Sequence, residues 1–313
     1  MPGERPFPQH RLTGIGDEAA RGLEGQLDAV RRLGWTALEL RTIDGVPLAD
    51  LDAGTFRTVA ARLRDAGLDA LCLASRIGNW ARPITHPFAD DLAELDTLAD
   101  QCAALNCQYV RIMSYPDDGL PETEWAARAV DRVARLAARA EAAGLTLLHE
   151  NCAGWAGDRA DRMLRLVREV DSPALRLLFD TGNGVPHGYD ALGILEQVLP
   201  HVAHVHVKDA VRAPDGTVAY TLPGDGQARV TDCLRLLLES GYTGAFSLEP
   251  HLAVRPHEGL RTQDDAVGLF VRAGRRLEEV LAGLAPHATT PAASAATPTA
   301  SATKPAASEG ARA

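Results

Sequence analysis

Aromatic residues are scarce in this chain, at 5% of 313 positions. The core must therefore be built mainly from aliphatic side chains, and a hydrophobic content of 46% supplies them. No apolar run approaches the roughly 18–20 residues that a membrane-spanning helix needs, so no membrane partner is expected. The opening residues, MPGERPFPQHRLTG, hold no apolar stretch of the signal-peptide kind. Positive charge is in the minority: 32 Lys and Arg face 42 Asp and Glu, for a net charge of −10. That balance disfavours a broad phosphate-backbone surface, hence no nucleic acid is expected either. The five cysteines form no CxxC pair, which predicts reduced, mostly buried thiols and a cytoplasmic location. Also missing is a GxGxxG turn after the first strand-like segment, where TGIGDEAARG (13–22) stands, so a dinucleotide-binding doubly wound sheet is disfavoured.

What the chain does contain is alternation. Strand-like segments fall at 11–16, 37–41, 68–74, 108–113, 145–150, 175–180, 202–209 and 245–250. Stretches with apolar residues at helical spacing separate them, among them 24–34, 122–144, 232–241 and 264–284. Repeated strand–helix units imply a parallel sheet with helical crossovers, and eight units at this length predict a single (β/α)8 TIM barrel over residues 1–285. Residues 286–313 are rich in Ala, Thr, Pro and Ser and poor in large apolar residues. They read as a disordered tail, because they cannot bury enough surface to offset the entropy of ordering.

In such a barrel the active site lies where strands run into their following loops. The last four strand candidates deliver ionisable groups there: Glu150 in LLHEN, Asp180 in FDTGN, His206 in HVHVKD and Glu249 in SLEPH. Along a strand, residues two apart share a face, so His204, His206 and Lys208 point together and Val205 and Val207 point away. Three carboxylates and an imidazole crowded at one rim repel one another unless a cation joins them. An oxygen-rich set with one nitrogen suits Mn²⁺, with Mg²⁺, Co²⁺ or Zn²⁺ as alternatives. Further candidates for contact with substrate are Lys208, His187, Trp80 in SRIGNW, and Glu39 with Arg41 at the end of the second strand. The glycine-rich LPGDGQ (222–227) offers backbone N–H groups that could receive a phosphate.

LLHEN, FDTGN, HVHVKD, LPGDGQARV and GYTGAFSLEPH, in that order, resemble the sugar phosphate isomerase/epimerase family of xylose-isomerase-like TIM barrels. The resemblance extends over most of residues 11–282, with GIGDEAA and LELRTIDG fitting near the start. It implies one divalent metal ion held by Glu150, Asp180, His206 and Glu249. The two glutamates would also act as acid/base groups beside a small-molecule carbohydrate. It further implies Arg212, six residues after His206, as a substrate-binding arginine. The expected reaction is isomerisation or epimerisation of a sugar, sugar phosphate or cyclitol through proton abstraction next to a carbonyl and a metal-stabilised enediolate. The alternative is a lyase or dehydratase acting on an inosose or 3-keto-glycoside at the same site. One departure keeps that alternative close: Asn183 stands where ketose 3-epimerases of the superfamily carry a histidine, three residues after the metal aspartate. Asn183 is itself a candidate substrate contact. Barrels of this type often pair, so a homo-oligomer is left open.

Overall fold

The computed structural model describes residues 11–255, 259–261 and 265–284, and the tail at 286–313 lies outside the described residues. Eight parallel strands make the barrel: β1 (Leu12–Gly14), β2 (Ala37–Leu40), β3 (Asp69–Ala74), β4 (Tyr109–Ser114), β5 (Thr146–Gly154), β6 (Leu175–Asp180), β7 (Val202–Val207) and β8 (Phe246–Leu248). Their order around the sheet is β1-β8-β7-β6-β5-β4-β3-β2. The seam between β1 and β2 is held by a parallel bridge from Ile15 to Glu39. Each strand lies within one of the segments read from the sequence or within a few residues of it. β7, however, stops at Val207, and Asp209–Arg212 leaves the barrel to form a hairpin with Val218–Thr221.

Helices pack around the outside: α1 (Leu23–Leu33), α2 (Ala53–Ala66), α3 (Phe88–Leu105), α4 (Glu122–Ala142), α5 (Ala160–Val170), α6 (Ala191–Val198), α7 (Val230–Glu239) and α8 (Ala266–Leu284). Their ends follow from local chemistry. The Asp52 side chain accepts the N–H groups of Gly54 and Thr55 at the start of α2. Gly34 and Gly67, at φ 70° and 64°, take the left-handed conformation that ends α1 and α2. Helix α8 packs so tightly where β1 pairs with β8 that a Cβ on Gly14 would lie 2.5 Å from the Phe270 ring.

Between strands and helices runs a continuous aliphatic core containing Leu27, Leu38, Val110, Leu147, Val205 and Leu277, all buried. Inside the barrel the apolar part is small: Cys72, Leu148 and Leu178 form a separate plug. The plug residues share strand parity with polar ones nearer the loops, Leu148 with Glu150 and Leu178 with Asp180. The same alternation that fills the barrel thus turns charged groups inward at its mouth.

Candidate metal centre

Glu150, Asp180, His206 and Glu249 are all buried, and each places one ligand atom so that the four atoms lie within 4.8 Å of one another. Neighbouring groups orient each of them. His206 Nε2 lies 3.0 Å from Glu39 Oε2, and the other Glu39 oxygen bonds His204 Nε2. That leaves His206 Nδ1 facing Glu249 Oε2 at 3.5 Å and Glu150 Oε1 at 4.0 Å, with no hydrogen-bond partner among the described residues. Asp180 Oδ1 accepts the N–H groups of Gly182 and Asn183 at 2.7 and 2.9 Å. Its Oδ2 receives no aligned hydrogen bond, although the Lys208 ammonium lies 2.9 Å away. A buried imidazole nitrogen and a carboxylate oxygen left open, with their outer atoms fixed, is the arrangement a divalent cation requires. A carboxylate behind the ligating histidine is the usual way of holding its tautomer. The residues present therefore fit a metal ion.

The electrostatics show how so many charges stay buried. Burial pushes the Glu150 carboxyl up, but the Arg111 guanidinium, 2.9 Å from Oε2, together with His206 and Lys208 holds the group below its ordinary range. Burial also opposes ionisation of Glu249. Lys208, 3.0 Å from Oε2, is the first of several cations that drive it well down, and Arg41 grips Oε1 at 2.9 Å. Asp180 is pushed up to about 6, because burial exceeds the pull of Lys208. His206 rises to about 10, since Glu39 and Glu249 more than offset burial. Arg41 gathers Asp17 and Glu18 from the loop after β1 and Glu249 from the end of β8, tying the barrel seam to the site.

The other candidates are placed as follows. Lys208 sits inside the cluster. Asn183 donates its side-chain N–H to Glu150 Oε1 and the Asn151 carbonyl, both at 3.1 Å. Glu39 is enclosed in the barrel with both oxygens on histidines. His187 is exposed at the end of the short helical turn Gly184–His187 and stacks on Tyr189. Arg212 is exposed and lines a separate cavity of about 270 Å³ beside that turn. LPGDGQ does not present free donors: Asp209 accepts the N–H groups of Gly224, Gly226 and Ala228 at 2.9–3.0 Å. Sequence reasoning passed over Arg111, Glu18 and His251. Arg111 carried a readable signal, a lone cation between Val110 and Ile112 at the inward parity of an apolar strand. Glu18 and His251 meet only through the fold, with Nδ1 of His251 3.0 Å from Glu18 Oε1.

A cavity of about 450 Å³ opens beside the cluster, lined by Arg41 and Arg111, which touch the two glutamates, and by Trp80, which is 39% exposed.

Comparison with known proteins agrees with this architecture. Inosose dehydratase 1 of Bacillus cereus (strain ZK / E33L) is 32% identical over 143 residues, covering 41% of this chain and 47% of that protein. The match thus spans about half the length of that relative. The 2-epi-5-epi-valiolone 7-phosphate 2-epimerase of Actinoplanes sp. (strain ATCC 31044 / CBS 674.73 / SE50/110) is 32% identical over 186 residues, covering 59% of this chain and 64% of that protein. Among solved structures, a xylose isomerase-like TIM barrel protein from Mycobacterium smegmatis in complex with magnesium superposes with a TM-score of 0.66 at 21% identity, covering 89% of this chain and 98% of that one. The family model for xylose isomerase-like TIM barrels matches residues 27–266, and this chain belongs to that family.

Proposed function

We propose that this chain is a divalent-metal-dependent enzyme that removes a proton from the carbon next to a carbonyl in a sugar or cyclitol. The observation that carries this reading is the set of four converging ligand atoms, with the outer oxygen of each glutamate clamped by a different arginine. Glu150, Asp180, His206 and Glu249 would hold the cation. Once bound, it would polarise the carbonyl oxygen and make the adjacent C–H more acidic. Glu150 stands on β5 and Glu249 just beyond β8, with ligand atoms within 4.8 Å of each other. A substrate laid against the pair can lose a proton to one carboxylate and receive one from the other. Arg41 and Arg111 fix those carboxylates, and Trp80 supplies a flat apolar wall.

Return of the proton to a neighbouring carbon or to the opposite face gives isomerisation or epimerisation. Departure of a β-hydroxyl, protonated and released as water, gives a dehydratase instead. The likeness to inosose dehydratases and Asn183, bonded to Glu150 where a second histidine would stand in ketose epimerases, support this second outcome. Mn²⁺ is the first metal to load, with Mg²⁺ next in view of the magnesium-bound neighbour.

The test is proton NMR in deuterated water, with metal-loaded protein and a panel of inososes and ketoses. Loss of the α-proton signal without loss of water marks an isomerase or epimerase. Loss of water with a new conjugated carbonyl marks a dehydratase. Neither exchange nor conversion across the panel would sink the proposal.

A further inference from the structure

Among the described residues, the wall of the 450 Å³ cavity carries four arginines, Arg21, Arg41, Arg76 and Arg111, against one carboxylate, Asp17. Three of the guanidiniums are already matched. Arg41 holds Asp17, Glu18 and Glu249. Arg76 holds Asp50 and Glu94, and Arg111 holds Glu150. Arg21 makes no ion pair among the described residues. Its one side-chain hydrogen bond among them runs from Nε to the Asp44 carbonyl, at 2.7 Å.

Arg21 is nonetheless held in place. The backbone returns the contact, Asp44 N–H donating to the Arg21 carbonyl at 2.8 Å. Gln26 donates to the same carbonyl at 3.3 Å. Asp44 and Gly45 both have positive φ, 55° and 84°, and form the two-residue turn between Thr42–Ile43 and Val46–Pro47. Arg21 Nη2 lies 3.0 Å from where a Cβ on Gly45 would stand, so the glycine makes room for the guanidinium. The nearest acidic side chain on that turn, Asp44, has Oδ1 beside Gly22 rather than in an ion pair with Arg21.

We propose that the substrate carries an anionic group, a carboxylate or a phosphate ester, and that Arg21 receives it at the cavity wall while the reacting carbonyl faces the carboxylate cluster. The inference rests on the functional reading above and narrows its substrate class. A guanidinium whose Nη groups have no partner among the described residues is a bidentate receptor for either anion. Arg21 is exposed, so an incoming anion reaches its guanidinium without displacing a protein partner.

The experiment is titration calorimetry on the full metal-loaded chain with three six-membered keto rings: an inosose, an inosose phosphate and dehydroshikimate. At least one anionic ring should bind on the order of tenfold more tightly than the neutral one. Whichever is preferred identifies phosphate or carboxylate as the source. Arg21→Gln should abolish the preference while leaving the neutral ring's Kd unchanged. Arg21→Lys should retain part of it. Equal binding of all three rings, or a preference that survives in Arg21→Gln, would overturn the inference. Failure of the functional reading looks different: no α-proton exchange with any ring, whatever the binding preference.

Discussion

His149 illustrates how one residue can report its surroundings. It neighbours Glu150 in sequence but points the other way, toward the helical layer, with Ile112 and Leu177 paired beside it on the flanking strands. Neither ring nitrogen has a hydrogen-bond partner among the described residues. Burial, only partly opposed by Glu150, holds its pKa down at about 4 from an ordinary 6.5. Between those values the unfolded chain binds a proton that the folded chain refuses, so stability falls as pH drops through that window. The loss is at most about 3 kcal/mol. Asp180 acts in the opposite sense, because its folded value of about 6 lies above the ordinary 3.8. It is present in wild type and variant alike and drops out of a comparison between them. Urea denaturation at several pH values between 4 and 7 should show a shallower loss of stability in His149→Leu than in wild type. Parallel curves would contradict this account. At this scale the convergence of the four clustered residues was legible, because a charged group at the end of an apolar strand has few structural excuses. Glu39 was legible as inward-facing but not as the carboxylate behind His206, since that contact joins β2 to β7 across the barrel interior.

At the scale of elements, strand positions were readable because buried parallel strands are short apolar runs bounded by turns. The glycine-rich loop at 222–227 was not, because glycine-rich sequence states which backbone shapes are allowed and not which acceptor takes the N–H groups. Here the acceptor comes from within the chain. Asp209 leaves β7 and collects Ala210, Gly224, Gly226 and Ala228 on its two oxygens. A side chain at Gly226 would meet Asp209 Oδ1 at 2.2 Å, so the loop's composition answers the carboxylate's need for close approach. Replacing Asp209 with alanine strands three loop N–H groups and should cost on the order of 3 kcal/mol, with Asp209→Asn intermediate. Equilibrium denaturation checks the magnitude. A change below about 0.5 kcal/mol in Asp209→Ala would mean that water replaces the carboxylate at little cost.

At the scale of the whole molecule, the site depends on two halves of the barrel that differ in what they supply. β5, β6, β7 and the end of β8 carry the four clustered side chains and are followed by Lys208, whereas the first half supplies Arg41 and Arg111, which hold the two glutamates, and Glu39, which backs His206. The seam lies between β1 and β2, and Arg41 spans it to reach Glu249. A cation at the cluster would therefore tie β5 through β8 together and strengthen the ring at the same time. That coupling predicts a thermal response. Mn²⁺ at about a hundred times its Kd should stabilise the chelator-treated protein by about 2.7 kcal/mol, a rise in Tm on the order of 5 °C. Glu249→Gln removes a ligand and weakens the holds of Arg41 and Lys208 together. It should melt below wild type without metal and lose most of the metal-dependent rise. Differential scanning calorimetry with and without Mn²⁺ separates the two effects. A variant that keeps the full metal-dependent rise would remove Glu249 from the ligand set, whatever became of its baseline stability.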